Sequence, residues 1–219
     1  MKVDFQRPFA VPDGARDVLL VRHGAVDAPE PDGLIGGRSD PPLNERGREQ
    51  AAAVAARLAG ERVAALFVTS LQRTTETAAP LLAHYALQPT VLAQLGEVYL
   101  GEWEGHGIAW RGASGHPEFL HMMREQRWDV IPGAEPGDAF SRRVREGVEA
   151  VADAAADGAA AVAVTHSAVI AEICRQVTGS EPFAFMAVSN GSLTRIVRMP
   201  DGRWTLVAFN ETAHLAAAR

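Results

Sequence analysis

Three short apolar runs, each ending in polar side chains, constrain the fold of this chain most strongly. The runs are VLLV at residues 18–21, ALFVTS at 65–70 and AAVAVTH at 160–166. An unbroken apolar run of this length is typical of a strand that is buried on both faces, as the strands of parallel sheets are. The sequence therefore predicts three buried strands.

Helical patterns separate these strands. Apolar residues recur at helical spacing in the segments that follow Asn44, Leu71 and Asp138 and in VIAEICRQV. Two β-rich runs, SLTRIVRM and RWTLVAF, close the chain around a Pro-Asp-Gly turn. Alternating strands and helices predict an α/β protein: a three-layer α/β/α sandwich around a mostly parallel central sheet, with an antiparallel edge from the closing hairpin.

One domain accounts for the whole length. A chain of 219 residues is long enough to bury a sizeable core, and no internal repeat stands out. We expect a single domain over residues 1–219, with an N-terminal arm at 1–17 ahead of the first strand. The irregular segment at about 93–137 is predicted to form a cap or insertion over the strand ends.

The composition narrows the classes of function. Acidic residues outnumber basic ones by 27 to 21, and the net charge of −6 disfavours a general nucleic-acid surface. No apolar run approaches the roughly 18 residues that span a bilayer. A single cysteine, Cys174, excludes an internal disulfide framework. We therefore expect a cytoplasmic protein with neither membrane nor nucleic-acid partners, while a homodimer stays open.

Basic side chains stand at the ends of the predicted strands. Arg22 and His23 follow the first strand, Arg73 follows the second, and His166 ends the third. The carboxyl ends of parallel strands meet at one edge of a sheet, where open α/β sheets bind their ligands. Two arginines and two histidines at one edge suit a phosphoryl group, because guanidinium groups pair with its oxygens in a bidentate manner.

The same residues carry a family resemblance. Arg22-His23-Gly24 after an apolar strand resembles the signature of the histidine phosphatase superfamily, the phosphoglycerate-mutase-like enzymes. Further segments are similar to that family in its order: GRSDPPLNERGREQA, TSLQRTTETA, LGEVYLGEWEG, PGAEPGDAFSRRV and VTHSAVI. The tripeptide alone is a weak signal, whereas the ordered series is specific and covers nearly all of the chain after residue 17.

The resemblance implies a phosphoglycerate-mutase-like fold and a phosphomonoesterase that acts on a small phosphorylated metabolite through a phosphohistidine. His23 would be the nucleophile, with its other ring nitrogen donating to a backbone carbonyl. Arg22, Arg73 and His166 would hold the phosphate oxygens, and Glu97 would protonate the leaving oxygen. No metal and no cofactor are implied, since the arginines neutralise the charge.

Two further residues are candidates for substrate contact. Arg38 lies in the glycine-rich loop after the first strand, and Ser167 follows the second histidine, where the family often has glycine. Ser167 would add a hydroxyl donor or narrow the pocket. The segment 25–29 also lacks the asparagine that often contacts phosphate in the family, so the phosphate would have one donor fewer.

Other side chains of the central segment compete for these roles. Glu102 and Glu104 are alternatives to Glu97 as the acid, although a solvated loop is the more ordinary environment for both. A metal site is a rival interpretation of three histidines whose spacing matches no standard ligand pattern. These histidines are His106, His116 and His121.

Three other functions stay open at this stage. A serine hydrolase would use Ser167 on a nucleophile elbow, but Thr165 and Val169 are bulky for that sharp turn. A phosphoglycerate-type phosphomutase would share the catalytic residues, and the short, modestly basic segment 105–137 favours a phosphatase over it. A catalytically silent binding or regulatory protein on the same fold is the third.

Overall fold

One central sheet organises the chain. The computed structural model describes residues 9–27, 36–104 and 108–218. The strands are β1 (Arg16–Arg22), β2 (Val63–Val68), β3 (Thr90–Val91), β4 (Ala160–Thr165), β5 (Leu193–Arg198) and β6 (Trp204–Glu211). They lie in the order β3-β2-β4-β1-β5-β6, in which the first four are parallel and β5 and β6 form an antiparallel edge. The predicted sheet is confirmed.

Helices follow the parallel strands. They are α1 (Glu45–Leu58), α2 (Gln72–Tyr85), α3 (Ile108–Ser114), α4 (Pro117–Glu125), α5 (Gly137–Asp153) and α6 (Ser167–Thr178). Asn44 caps α1 as predicted, since its side chain accepts a hydrogen bond from Gly47 N–H at 2.9 Å. Within the described ranges, no helix has the length and apolar character needed to cross a membrane.

The sheet is covered on both faces, because successive side chains of a strand point in opposite directions. Leu19 and Val21 of β1 belong to a buried cluster with side chains of α1 and α2. Val18 and Leu20 belong to a second cluster with side chains of α5 and α6. The three-layer sandwich is confirmed.

Strand β1 begins at Arg16, two residues before the apolar run that predicted it. Asp17 on this strand is only 8% exposed, and the guanidinium of Arg195 on β5 donates two hydrogen bonds to its carboxylate, at 3.0 and 2.5 Å. This ion pair lets a charged residue occupy a buried strand. The predicted arm boundary at residue 17 is therefore too late, and residues 1–8 lie outside the described ranges.

The segment 93–137 is more helical than predicted. Besides α4 it contains α3 and the 3₁₀ turns Ala93–Leu95, Gly101–Trp103 and Trp128–Val130. Glycines made α3 hard to predict, but Gly112 has a packing role: a Cβ there would lie 3.2 Å from the Phe119 ring of α4. Met122 of α4 is buried in the same cluster as α5 and α6.

Candidate active site

The carboxyl ends of β1 and β4 bring two predicted histidines together. Arg22 ends β1 in register with Thr165, which ends β4. His23 N–H donates to the Thr165 carbonyl oxygen at 3.0 Å, so His23 and His166 leave the two strands side by side. Their rings meet edge-on, with centroids 5.2 Å apart and planes at 61°.

Side chains distant in sequence hold the backbone after β1. Gly24 N–H donates to Thr77 Oγ1 at 2.9 Å, and the next N–H donates to Gln50 Oε1 at 2.8 Å. Asn190 Nδ2 donates to the His23 carbonyl oxygen at 3.0 Å. Sequence reasoning missed these residues, because a polar residue in a helix or loop carries no local sign of such a partner.

Gly24 permits a close contact between two backbone segments. A Cβ at this position would lie 2.5 Å from the carbonyl oxygen of Gly47 in α1. A Cβ at Gly47 would lie 2.0 Å from the carbonyl oxygen of Ala25. Only glycine at both positions lets the first turn of α1 approach the strand end this closely.

His23 is poised as a neutral imidazole. It is 5% exposed, and its Nδ1 lies 2.8 Å from the Gly24 carbonyl oxygen, which can only accept. Nδ1 therefore carries the proton and Nε2 keeps its lone pair. Burial, together with the positive charges of Arg73 and Arg22, lowers the pKa of His23 to about 3.

His166 is fully buried between two protein partners. Its Nδ1 accepts from Arg73 Nη2 at 3.4 Å, and its Nε2 donates to Thr69 Oγ1 at 3.0 Å. Burial, His23 and the nearby arginines hold the pKa of His166 well below its ordinary value. The ring is therefore neutral and orients the guanidinium of Arg73.

Arg22 and Arg73 each have one buried nitrogen that is without a hydrogen-bond partner among the described residues. Arg73, in the first turn of α2, is fully buried, and its Nη atoms donate to the carbonyl oxygens of Ser39 and Gly36 at 2.6 and 3.1 Å. Arg22 Nη1 donates to the Val188 carbonyl oxygen. Within the described residues, the buried Nε atoms of both arginines have no hydrogen-bond partner. Buried donors left unpaired cost roughly 1–3 kcal/mol each, so both fit an anionic acceptor.

Glu97 is a half-buried carboxyl beside this cluster. Val98 N–H donates to its Oε1 at 3.0 Å, and Ser167 Oγ lies 3.3 Å from its Oε2. Removal from solvent raises the pKa of Glu97, although the Val98 hydrogen bond, Arg73 and Arg22 act in the opposite direction. The group is thus a candidate proton donor.

Arg143 of α5 holds the backbone that carries this carboxyl, a role that sequence reasoning missed. Its Nη1 donates to the carbonyl oxygen of Gly96 at 2.7 Å, and its Nη2 donates to that of Glu97 at 3.2 Å. The same guanidinium donates from Nε and Nη2 to the two carboxylate oxygens of Glu135, at 2.6 and 2.7 Å, which fixes its orientation. An arginine on an amphipathic helix usually marks a solvated face, so no local pattern distinguishes Arg143 from the other arginines of α5.

The two candidate substrate contacts have other partners. Arg38 is exposed, and its guanidinium carbon lies 3.9 Å from the centroid of the Tyr99 ring. In the part of the chain that the structure describes, Arg38 has no hydrogen bond to the catalytic candidates. Ser167 lines the cavity next to Glu97 and contacts that carboxyl, while both ring nitrogens of His166 are engaged elsewhere. This geometry does not favour a serine nucleophile, which needs a histidine base.

Glu102 and Glu104, the two alternatives to Glu97 as the acid, lie in different environments. Glu104 accepts from the backbone N–H groups of Arg38, Ser39 and Leu100, at 2.6, 3.2 and 3.1 Å. It therefore anchors the glycine-rich loop, and the solvated environment expected for it is wrong. Glu102 is exposed, as that interpretation expected.

The histidine metal site finds no support in the described chain. His106 lies outside the described residues. His121 Nδ1 accepts from Arg124 at 3.0 Å, and no group of three His, Cys, Asp or Glu side chains among the described residues could hold a metal ion.

An α/β sandwich that collects two histidines, two arginines and a carboxyl of raised pKa at one sheet edge defines an enzyme of phosphoester chemistry. Residues 18–212 match the family model of the histidine phosphatase superfamily, branch 1, and the chain belongs to this superfamily. The resemblance seen in the motifs is confirmed, and the chain is a phosphomonoesterase.

Three relatives illustrate the match. A metal-independent phosphoserine phosphatase from Arabidopsis thaliana is 28% identical over 98% of this chain and 92% of its own length. Phosphoglycerate mutase-like protein 4 from the same plant is 30% identical over 91% of this chain and 86% of its own. The native structure of a mycobacterial glucosyl-3-phosphoglycerate phosphatase superposes with a TM-score of 0.75 at 26% identity, covering 90% of this chain and 99% of that one.

Proposed function

We propose that the protein hydrolyses a small phosphomonoester through a phosphohistidine at His23, without a metal ion. The observation that carries this proposal is the protonation state of the His23 imidazole. Its Nδ1 is committed to the Gly24 carbonyl oxygen and its pKa is lowered to about 3, so Nε2 offers a lone pair throughout the neutral range. A nitrogen nucleophile needs that lone pair.

In the first step, His23 Nε2 attacks phosphorus, a nitrogen–phosphorus bond forms, and the bond from phosphorus to the leaving oxygen breaks. The free N–H groups of Arg22 and Arg73 stabilise the charge on the equatorial oxygens. His166 acts on the phosphate through Arg73, which it orients, since its two ring nitrogens are engaged by Arg73 and Thr69. Glu97 gives its proton to the leaving oxygen, which departs as an alcohol, and Glu97 becomes a carboxylate.

In the second step, water attacks the phosphohistidine. The Glu97 carboxylate takes a proton from this water as its oxygen bonds to phosphorus and the nitrogen–phosphorus bond breaks. Inorganic phosphate leaves, His23 is again neutral and Glu97 is again protonated. The raised pKa of Glu97 suits both steps, because one group must give a proton and then recover it.

The charge of the buried arginines supports metal independence. Arg22 and Arg73 carry the positive charge that a divalent ion would otherwise supply to a transferring phosphoryl group. The metal-independent phosphoserine phosphatase of Arabidopsis thaliana, similar to this chain over nearly its whole length, agrees with that assignment.

Net hydrolysis is favoured over phosphoryl isomerisation by the surroundings of Glu97. A phosphoglycerate mutase must also hold a second anionic group of its substrate. Among the described residues that line the cavity beside Glu97, Arg22 and Glu97 are the only ionisable ones. With 3-phosphoglycerate, in the presence and absence of 2,3-bisphosphoglycerate, we expect little 2-phosphoglycerate. Isomerisation faster than phosphate release would contradict this choice.

Trapping of the intermediate tests the proposal. Rapid acid-free quenching with a ³²P-labelled aryl phosphate should label the protein through a base-stable, acid-labile linkage. His23→Ala should abolish both labelling and turnover. His84→Ala removes an exposed histidine of α2 and should leave both intact. Labelling of the His23→Ala protein would show that another group is the nucleophile.

A reducing, cytoplasmic setting is part of the same proposal. The single cysteine, Cys174, is fully buried in α6, and burial raises the pKa of its thiol to about 12. A thiol in this state neither forms a disulfide nor reacts readily. Fractionation of the source cells checks the compartment, and the mass of the protein in solution decides whether it forms the homodimer that the sequence leaves open.

A further inference from the structure

The cavity beside Glu97 has a pronounced apolar character. Its volume is about 530 Å³, and Arg22, Glu97 and Ser167 are the catalytic candidates that line it. Most of the other described lining residues are aromatic or carry a thioether, and the larger ones are Phe119, Met122, Met123, Trp128, Phe183 and Met186. We call this space the leaving-group cavity, because it adjoins the proposed proton donor.

Two aromatic rings form a fixed wall of the leaving-group cavity. The Trp128 and Phe183 rings have centroids 4.9 Å apart and planes tilted by 43°. Phe183 N–H donates to Gln126 Oε1 at 3.1 Å, which ties the segment after α6 to the end of α4. The two rings come from distant parts of the sequence and are nevertheless held together.

Methionines supply the adaptable part of the lining. Met122 is 2% exposed and belongs to the core, whereas Met123 is 44% exposed on the same helix. The thioether is polarisable and unbranched, and it makes favourable contacts with aromatic rings of varied shape. The combination of rigid rings and methionines suits a flat apolar guest.

We infer that the leaving group of the preferred substrate carries an aromatic ring system, which the leaving-group cavity binds while Glu97 protonates the bridging oxygen. This inference rests on the proposed function. The cavity volume lies within the roughly 300–1,000 Å³ that is typical of sites for small organic molecules. Aromatic surfaces bury large areas and pair favourably with the Trp128 and Phe183 rings.

Charged leaving groups fit this lining poorly. An amino-acid or glycerate ester brings a carboxylate or an ammonium group close to the bridging oxygen. Among the described lining residues only Arg22 and Glu97 are ionisable, and both are already assigned to the phosphate and the leaving oxygen. An extra charge would lose its hydration without gaining a partner.

A matched pair of substrates tests the preference. 2-Naphthylmethyl phosphate and propyl phosphate both release primary alcohols, so both need the proton of Glu97 and differ mainly in the ring. Burial of the naphthyl ring should raise kcat/KM on the order of 100-fold. Phosphoserine and 3-phosphoglycerate should also be turned over far more slowly than the naphthyl ester.

A pair of variants on α4 tests whether the leaving-group cavity causes the preference for the naphthyl ester. Met123→Lys places a charge in the cavity lining and should lower the ratio of the two kcat/KM values about tenfold. Leu120→Lys, at an exposed position of the same helix outside the described lining, should leave the ratio unchanged. Equal ratios in the two variants would overturn the inference.

The outcomes distinguish this inference from the proposed function. A ratio near one, or faster hydrolysis of phosphoserine, would overturn the inference while phosphate release and the trapped phosphohistidine still supported the function. Release of phosphate from none of these esters would contradict both. Calorimetry with 2-naphthylmethylphosphonate and propylphosphonate measures the same preference without turnover, and equal Kd values would overturn it.

Discussion

The imidazole of His23 lies edge-on to that of His166, 5.2 Å between centroids, and each ring is held in one protonation state by different partners. A backbone carbonyl fixes the proton of His23 on Nδ1, whereas Arg73 and Thr69 fix that of His166 on Nε2. Both rings stay neutral, because burial and nearby positive charge lower both pKa values. The two histidines can therefore lie side by side without charge repulsion, and His23 Nε2 keeps its lone pair.

The lowered pKa of His23 predicts a loss of stability in acid. Its folded-state pKa is about 3 against an ordinary value of 6.5, so the unfolded chain binds more protons between these pH values and stability falls as pH drops through this window. Between pH 7.5 and pH 5 the loss from this group is about 2 kcal/mol. In urea unfolding, the free energy of unfolding of His23→Asn should fall between these pH values by about 2 kcal/mol less than that of the wild type. An identical fall in both proteins would contradict the prediction.

Glu97→Gln should be most harmful when the leaving group is a poor one. For propyl phosphate, kcat/KM, which reports formation of the phosphohistidine before water attacks, should fall by about 10²–10⁴-fold, because the alkoxide needs a proton. For 4-nitrophenyl phosphate, kcat/KM should fall less than tenfold, since that phenolate leaves unassisted. In the wild type, kcat for the alkyl ester should fall as pH rises through the raised pKa of Glu97. Equal losses on both esters would remove Glu97 from the acid role, and the exposed Glu102→Gln is the control.

Arg143 is predicted to be a positioning residue for Glu97. Arg143→Gln removes the hydrogen bonds to the Gly96 and Glu97 carbonyl oxygens, so the acid should be misplaced. We expect about a tenfold loss in kcat/KM for propyl phosphate and a smaller one for 4-nitrophenyl phosphate, because this parameter reports the step in which Glu97 protonates the leaving oxygen. Arg145→Gln, which breaks an ion pair with Glu149 on the same helix, should change neither. A loss that is the same for both esters would indicate a merely structural role.

Activity should survive a strong chelator and fall with vanadate. Vanadate adopts the five-coordinate geometry of the transferring phosphorus, and the free N–H groups of Arg22 and Arg73 would stabilise it. Arg73→Lys should weaken vanadate inhibition by at least about tenfold, because lysine cannot keep the contacts to Gly36 and Ser39 while donating to the ligand. Activity lost on chelation and restored by a divalent ion would contradict the metal-independent mechanism.

Local patterns were enough to place the core and much of the site. Continuous apolar runs identified β1, β2 and β4, because a strand covered on both faces has no polar side to display. The residues at their ends were then located without coordinates, since parallel strands end at one edge. This reasoning put Arg22, His23 and His166 side by side. It failed where charge is buried: Asp17 lies inside β1 only because Arg195 comes from a strand 178 positions away.

The amino-acid sequence alone thus determined the sandwich, which follows from short-range spacing, and the family, which follows from the ordered motifs. Tertiary structure alone decided the rest. The proton on His23, the acidity of Glu97 and the aromatic lining beside it depend on how completely solvent is excluded and on partners such as Arg143 and Phe183. Desolvation and long-range contacts are properties of the packed chain, because neighbours in space that are remote in sequence leave no periodic trace along it.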